Sequence, residues 1–291
     1  MEAQVIKILG TSYTILLKGK LYSAVPRGNI KLNGKILVGD KVLVQANDYA
    51  DGYVITKILP RTSCLVRPPV ANLQQLVIVV SAKPNPDYEL LDKLIVYCYQ
   101  NNITPVILVN KCDIMSKQDI LNIIDEYKYC TEHILAISAL EGTGIDKLKK
   151  ILRGKLSAFA GQSAVGKSTL INSLIGNNLA EVGGLSAKTE RGKHTTRHTE
   201  IYLLEGDIML ADTAGFSMLA LDDIEPKELK DFYPDFTNSE CLYSGCTHIN
   251  CTAKDCAVVA DVEGGVINAN RYKRYVKLYN ELLEKWRRKY D

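Results

Sequence analysis

A segment in the middle of the chain has the residue types and spacing of a phosphate-binding loop. It reads G-x-x-x-x-G-K-S-T, a pattern in which glycines let backbone N–H groups wrap a di- or triphosphate while the following helix adds a favourable dipole. Lys167 is expected to reach the β- and γ-phosphates, and Ser168 to bind Mg²⁺. The predicted loop consists of Gly161, Gln162, Ser163, Ala164, Val165, Gly166, Lys167, Ser168 and Thr169.

A second motif follows an apolar run at residues 106–109 and can distinguish guanine from adenine. It has the pattern N-K-x-D and consists of Asn110, Lys111, Cys112 and Asp113. The Asp113 carboxylate can accept from guanine N1–H and from the exocyclic amine, whereas adenine offers no such pair of donors on that edge. Asn110 is expected to tie this loop to the phosphate loop, and the stem of Lys111 to cover the base.

Two shorter motifs also follow apolar strands. Ser138 and Ala139 begin an S-A-x tripeptide whose backbone N–H is expected to contact guanine O6. Asp212 and Gly215 are the ends of D-T-A-G, a D-x-x-G motif. Asp212 is expected to hold Mg²⁺ through water, and the Gly215 N–H to meet the γ-phosphate. Together the four motifs predict a site for GTP or GDP with Mg²⁺.

A polar segment at residues 191–197 reads R-G-K-H-T-T-R. One of its threonines, Thr195 or Thr196, is expected to complete the Mg²⁺ shell, and the sequence does not separate the two. Ras-like proteins have a glutamine after D-x-x-G that orients the attacking water, but Phe216 stands there in this chain. Slow intrinsic hydrolysis that needs another group or a partner is therefore predicted. His194 is placed to help; the alternative is a solvated loop histidine.

The order of these motifs differs from the ordinary one, which begins with the phosphate loop. Here N-K-x-D and S-A-x come first, followed by the phosphate loop, the threonine segment and D-x-x-G. The sequence therefore predicts a circularly permuted GTPase domain, a rearrangement that is tolerated where the original termini lie close together at the surface.

A cluster of cysteines near the C-terminus predicts one structural zinc ion. Cys241, Cys246 and His248 are the firmest candidates, and either Cys251 or Cys256 is the fourth. Three sulfurs and one nitrogen are a usual ligand set for structural zinc in a reducing compartment. The alternatives are unrelated free thiols or a redox pair.

Composition indicates a soluble globular protein. The chain of 291 residues is 46% hydrophobic and 24% charged, which is ordinary for a domain with an apolar core. No apolar run approaches the roughly 18–20 residues of a membrane span, and the N-terminus lacks the layout of a signal peptide. We therefore expect a cytoplasmic protein with no membrane partner, which acts as a monomer.

Basic residues concentrate at both ends of the chain. Residues 7–41 and the tail after residue 269 both carry an excess of lysine and arginine, which favours a surface for a polyanion over two solvated faces. The residues in question are Lys18, Lys20, Arg27, Lys31 and Lys35 against Asp40, and Arg271, Lys273, Arg274, Lys277, Lys285, Arg287, Arg288 and Lys289 against Glu281, Glu284 and Asp291.

The elements that must position these residues fall into three predicted domains. Residues 1–65 contain five short strands punctuated by turn residues, which predicts a five-stranded barrel of the oligonucleotide-binding kind (an OB-fold), with an SH3-like barrel as the alternative. Residues 66–222 alternate strands and helices, as in a doubly wound α/β domain with its ligand at the carboxyl ends of the strands. Residues 223–291 predict a mostly helical zinc-binding domain that ends in a basic helix. We interpret the aromatic stripe of that helix as core packing rather than as a nucleobase-stacking surface.

The chain resembles, over essentially its whole length, the bacterial small-ribosomal-subunit biogenesis GTPases of the RsgA (YjeQ/YloQ) family. The resemblance rests on V-G-D-K-V at residues 38–42, on N-K-C-D, on G-Q-S-A-V-G-K-S-T, on R-G-K-H-T-T, on D-T-A-G-F-S, and on C-A-V at residues 256–258 with E-G-G at 263–265. Ala214 stands where the family usually has proline. The family's last zinc-binding cysteine directly precedes A-V, which implies Cys256 as the fourth ligand, although the loop after His248 is longer here and adds Cys251.

The resemblance implies hydrolysis of GTP stimulated by the 30S subunit late in its maturation, with contacts to 16S rRNA from the barrel and the zinc domain. It also implies that His194 is the family's histidine in the threonine loop. An alternative function is a GTP-switched rRNA-binding assembly factor in which hydrolysis is incidental. A permuted GTPase of the large subunit fits the barrel and zinc cluster less well, and an ATPase would leave Asp113 without a role.

Overall fold

The computed structural model describes residues 1–27, 34–47, 51–66, 68–175, 199–212, 221, 223–236 and 240–290. Its first five strands are β1 (Glu2–Leu9), β2 (Ser12–Leu17), β3 (Lys20–Pro26), β4 (Lys41–Ala46) and β5 (Tyr53–Ile58). Strand β1 pairs with both β2 and β4, and β5 pairs with both β3 and β4, so the sheet closes into a barrel. Alternate side chains such as Val5, Ile15 and Ile55 fill its interior. The predicted five-stranded barrel is confirmed.

A short hairpin that was not predicted from the sequence packs against the barrel. It consists of β6 (Cys64–Leu65) and β7 (Val70–Ala71). Its neighbour Arg61 donates from Nε and Nη2 to the buried carboxylate of Asp40, at 2.7 and 2.8 Å. Gly39 lies so close to the hairpin that a Cβ atom would stand 2.0 Å from the Ala71 carbonyl oxygen. The segment after the barrel is therefore packed against it.

The central domain is built on a mainly parallel sheet with the order β10-β9-β8-β11-β13-β12. Its strands are β8 (Gln75–Val80), β9 (Thr104–Val109), β10 (Ile134–Ala136), β11 (Leu156–Ala160), β12 (Glu200–Leu204) and β13 (Ile208–Asp212). The helices between them are α1 (Tyr88–Gln100), α2 (Lys117–Tyr127), α3 (Ile145–Leu152) and α4 (Lys167–Ile175). The middle strands β8 and β11 are buried along their whole length, as expected for a parallel sheet with both faces covered.

The barrel and the central sheet are continuous. Strand β1 pairs with β12 through Lys7 and Glu200, whose side chains also form a 2.9 Å ion pair. Across the described residues, eleven strands therefore belong to one sheet.

The C-terminal part is helical, as predicted, with two local differences. The short helix expected at Pro226–Phe232 is a 3₁₀ helix, and α5 (Ala257–Glu263) was not predicted. The long helix α6 spans Ala269–Tyr290. Its residues Tyr275 and Leu282 are buried in the core of this region, so the aromatic stripe is core packing, as interpreted from the sequence. Within the described ranges, no helix combines the length and apolar character needed to cross a bilayer.

Candidate nucleotide site and metal centre

One buried amide joins three of the predicted nucleotide loops. Asn110 directly follows β9 and is 2% exposed. Its Nδ2 donates to the Val165 carbonyl oxygen at 2.8 Å, and its Oδ1 accepts from the Ala139 backbone N–H at 3.0 Å. The N-K-x-D loop, the phosphate loop and the S-A-x loop are therefore fixed to each other at the carboxyl ends of neighbouring parallel strands, where ligands bind in open α/β sheets.

The remaining residues of the N-K-x-D loop lie at the rim of this edge. Lys111 has a positive φ of 65°, and its ammonium donates to the carbonyl oxygens of Ala164 and Lys83 at 2.8 and 2.9 Å. The Cys112 N–H donates to the Ile137 carbonyl oxygen at 3.1 Å. Asp113 is exposed, so its carboxylate is accessible to a ligand.

The S-A-x loop is held more tightly. Ser138 is fully buried and Ala139 is 7% exposed. The Ser138 hydroxyl accepts from the Glu141 N–H at 3.1 Å, and the Ser138 N–H donates to the Thr143 carbonyl oxygen at 3.0 Å. These bonds fix the backbone of a loop whose sequence alone carries little information.

Two glycines of the phosphate loop are required by close contacts. Gly161 has φ +126°, and a Cβ there would stand 2.2 Å from the Val79 carbonyl oxygen of β8. Gly166 has φ +95°, and its Cβ would stand 2.4 Å from Asn110 Nδ2. The second contact means that the amide joining the loops occupies the space a side chain at Gly166 would need. Glycine at this position therefore permits the contact between the two loops.

Lys167 begins α4 and bends back over its own loop. Its Nζ donates to the carbonyl oxygens of Gly161 and Gln162 at 2.8 and 2.6 Å, and burial lowers the pKa of its ammonium. Ser168 and Thr169, in the first turn of α4, are exposed. A phosphate that binds here would offer the ammonium oxygens with more negative charge than the two carbonyls.

A segment that was not predicted from the sequence, residues 85–87, supports the phosphate loop through Gln162. Gln162 Oε1 accepts from the Asp87 N–H at 2.7 Å, and its Nε2 donates to the Asn85 carbonyl oxygen at 3.0 Å. Asp87 in turn caps α1 by accepting from the Leu90 N–H. The prolines at residues 84 and 86 were the available signal for a defined turn.

Several predicted residues fall outside the part of the chain that the structure describes. They are His194, Thr195, Thr196 and Gly215. The backbone of Asp212 ends β13, beside the strand that leads into the phosphate loop, but its side chain lies outside the described residues.

The geometry of the cysteine cluster fits a tetrahedral zinc ion. The Sγ atoms of Cys241 and Cys256 are 3.7 Å apart, and His248 Nδ1 lies 3.5 and 3.3 Å from them. With Cys246, these ligand atoms all lie within 4.8 Å of one another. Zinc–sulfur and zinc–nitrogen bonds of about 2.3 and 2.0 Å predict edges of about 3.5–3.8 Å for such a tetrahedron. Among the described residues, the fifth candidate, Cys251, is outside this group but lies 3.7 Å from Cys246.

The comparisons with known proteins agree with this geometry. Residues 58–222 match the family model described as RsgA GTPase. A small ribosomal subunit biogenesis GTPase RsgA from Geobacillus kaustophilus is 39% identical, with 98% of each chain covered. One of the same name from Caldanaerobacter subterraneus is 37% identical, covering 100% of this chain and 98% of its own. The chain belongs to the RsgA GTPase family.

Solved structures of RsgA-type proteins share the whole fold. The crystal structure of YjeQ from Thermotoga maritima matches with a TM-score of 0.83 and 31% identity, covering 97% of this chain and 98% of that one. The structure of YloQ, described as a circularly permuted GTPase, matches with a TM-score of 0.81 and 30% identity, covering 98% and 95%. As a member of the RsgA GTPase family, this chain is a circularly permuted GTP hydrolase with a barrel in front and a helical domain behind, as predicted.

Two of the basic residues expected on the surface of this RsgA-family protein are internal. Arg271 is 1% exposed and donates to Asp92 at 2.5 Å and to Asp235 at 2.8 Å. Arg274 bonds to Asp92 and Glu126, both at 2.5 Å. Burial alone would lower the pKa of Arg271, but the surrounding negative groups raise it well above its ordinary value. These arginines fix α6 to α1 and α2. Asp92, which sits among the apolar residues of α1, was the signal in the sequence.

Proposed function

We propose that this protein is a GTPase of small ribosomal subunit biogenesis, which hydrolyses GTP to GDP and phosphate when it binds the 30S subunit late in maturation. The observation that carries the proposal is the buried Asn110 amide that connects the base-reading and phosphate-binding loops. Full-length relatives bearing the name small ribosomal subunit biogenesis GTPase support the partner. In this proposal the protein acts in the cytoplasm as a monomer.

The base is read at the rim of the sheet. The Asp113 carboxylate accepts from guanine N1–H and the exocyclic amine, and the S-A-x loop at Ser138 and Ala139 contacts the O6 edge of the base. The stem of Lys111 lies along the base because its ammonium is anchored to two carbonyl oxygens beyond it. Binding of adenine would leave the carboxylate without its donors, so ATP is rejected through an unpaired polar group.

The phosphates occupy the loop at residues 161–169. Backbone N–H groups and the start of α4 surround them, and Lys167 transfers its hydrogen bonds from carbonyl oxygens to phosphate oxygens. Ser168 and Asp212 would hold Mg²⁺, with Thr195 or Thr196 completing its shell; the metal neutralises charge that develops on the phosphates. Gly215 would contact the γ-phosphate, and His194 would assist the attacking water.

The remaining regions supply partner contacts. Cys241, Cys246, His248 and Cys256 would hold one structural zinc ion, which fits their spacing. The barrel displays Lys18, Lys20, Arg27 and Lys35 on its exposed surface. The one acid counted against them, Asp40, is bonded internally to Arg61. This basic face, with the exposed end of α6 at residues 285–289, is suited to the phosphate backbone of 16S rRNA.

The test is phosphate release from GTP and from ATP by the purified protein, alone and with isolated 30S or 50S subunits. Stimulation of GTP hydrolysis by 30S but not by 50S, with ATP unused, is the expected result. Equal use of ATP would contradict the base-reading role of Asp113, and stimulation by 50S would contradict the proposed partner.

The second candidate is an rRNA-binding factor in which GTP only sets conformation, a reading that Phe216 in the usual glutamine position favours. Lys167→Ala separates the two. Loss of turnover by at least about a hundredfold, with GTP-dependent 30S binding retained and release from the subunit blocked, supports the enzyme. Normal cycles of binding and release without turnover would support the binding factor.

A further inference from the structure

The chain carries one more metal-ligating side chain than a tetrahedral zinc site uses. Cys241, Cys246, His248 and Cys256 form the compact group whose ligand atoms lie within 4.8 Å of one another. The remaining thiol, Cys251, lies 3.7 Å from Cys246 Sγ and donates to the Ile249 carbonyl oxygen at 3.3 Å. It is therefore held beside one zinc ligand without belonging to the set.

Both thiols of the Cys246–Cys251 pair are accessible, whereas in the alternative pair only Cys241 is. Cys246 and Cys251 are both partly exposed, while Cys256, the neighbour of Cys241 at 3.7 Å, is 1% exposed. In both pairs the Sγ atoms are 3.7 Å apart and would have to approach to the disulfide S–S length of about 2.05 Å. A small oxidant from solvent can thus reach Cys246 and Cys251, and closing that pair leaves the metal with fewer ligands.

We propose that Cys246 and Cys251 form a peroxide-responsive pair that releases the zinc ion. The proposal rests on the zinc site of the proposed function. In the first step the Cys246 thiolate attacks hydrogen peroxide: a new S–O bond forms, the O–O bond breaks, the sulfur is left as a sulfenic acid, and the departing hydroxide takes up a proton to become water. In the second step Cys251 attacks that sulfur, the S–O bond breaks and water leaves. Two thiols are oxidised, one peroxide is reduced, and Zn²⁺ passes to solvent.

The consequence is a reversible loss of the fold around residues 240–256, which we call the zinc loop. The loop is fastened to α6 by the Tyr272 hydroxyl, which donates to the His248 carbonyl oxygen at 2.6 Å, and by Tyr275, which donates to Thr247 at 2.5 Å. A disulfide between Cys246 and Cys251 removes one ligand from the loop that these bonds support. A dithiol reductant with added zinc reverses the change.

The test uses the full-length zinc-loaded protein treated with hydrogen peroxide, with released zinc followed by a chromogenic chelator and disulfides mapped by mass spectrometry. The wild type is expected to release one zinc ion as the 246–251 disulfide forms. Cys251→Ser is expected to retain its zinc as purified and to release it at least about tenfold more slowly. Cys64→Ser, which removes an exposed thiol outside the cluster, should behave as wild type.

Three results would overturn the proposal. One is zinc release by Cys251→Ser at the wild-type rate; another is a disulfide that joins Cys241 to Cys256. The third is purified Cys251→Ser without zinc, since Cys251 would then be a ligand. Disulfide mapping on the wild type decides the question even if the variant folds poorly. Absence of zinc from the wild type itself would contradict the zinc site of the proposed function instead.

Discussion

The nucleotide loops and the zinc loop are positioned by different means. The nucleotide loops extend from fully buried parallel strands, and one side chain, Asn110, joins them through backbone groups. The zinc loop has no such sheet beneath it in the described residues. It is held by its proposed metal ligands, by tyrosine hydroxyls of α6, and by the buried ion pairs through which α6 contacts α1. The first region is therefore expected to persist when the second is removed.

Removal of zinc should have the largest effect. Structural zinc contributes on the order of 10 kcal/mol to the fold of a small site. Chelation is therefore expected to abolish hydrogen-exchange protection at residues 240–256 while the affinity for GDP stays within about twofold. A zinc loop that stays protected after chelation would contradict the proposed metal. A parallel loss of GDP affinity would mean that the nucleotide loops depend on the zinc loop for their position.

Replacement of Arg271, which fixes α6 to α1, should have the second-largest effect. Arg271→Ala removes the ion pair of buried Asp235 and leaves buried Asp92 with one arginine, Arg274, instead of two. The variant is expected to lower the free energy of unfolding by about 3–5 kcal/mol. Urea unfolding followed by circular dichroism measures this loss. Lys277→Ala is the control, because Lys277 lies on α6 like Arg271 but forms an exposed ion pair, with Glu89 of α1. Its replacement should change stability little. Equal effects of the two variants would mean that the buried network does not dock α6.

In the nucleotide loops, a single added methyl group tests the contact between the phosphate loop and the N-K-x-D loop. Gly166→Ala brings a Cβ within 2.4 Å of Asn110 Nδ2 at a φ of +95°. It is expected to weaken GDP binding at least about tenfold, by titration with a fluorescent GDP analogue. Gly142→Ala is the matched control, since its φ is +76° with nothing within 4 Å. If both variants bind GDP equally weakly, backbone strain rather than the contact with Asn110 sets the requirement for glycine.

The same difference explains how far the sequence could be interpreted. Apolar runs at β8 and β9 predicted buried parallel strands, and a short strand was expected at β11 before the phosphate loop. Parallel strands bring the loops at their carboxyl ends together. The contact of Asn110 with the phosphate loop could therefore be predicted from local pattern, whereas its bond with the Ala139 N–H was not predicted. Spacing alone did not choose between Cys251 and Cys256 as the fourth candidate zinc ligand, because five candidates lie within a short loop. The resemblance implied Cys256, and the distances between the ligand atoms also group Cys256 rather than Cys251 with the others.

The ion pairs of α6 illustrate a second limit. Arg271 and Asp92 are separated by 179 positions, so nothing local assigns them to each other. In the sequence Arg271 is one of many basic residues in a helical tail, and the charge count assigned it to a polyanion surface. Its burial depends on where α6 lies against α1, which is a property of tertiary packing. The short helix α5 and the hairpin β6–β7 were missed because each has too few residues for a periodic pattern.

In the proposed function, a loop placed before the phosphate loop in the chain supplies the selectivity for guanine. The most direct measurement is the affinity of the wild type, Asp113→Ala and Asp125→Ala for GDP and ADP. Asp125→Ala is the control, because it removes an exposed carboxylate of α2 that forms only a 3.6 Å ion pair with Lys128. We expect Asp113→Ala to bind GDP at least about a hundredfold more weakly, since two charged hydrogen bonds are lost, while Asp125→Ala and the wild type bind GDP alike and ADP poorly. Unchanged GDP affinity in Asp113→Ala, or equal binding of ADP and GDP by the wild type, would contradict the base-reading role of Asp113.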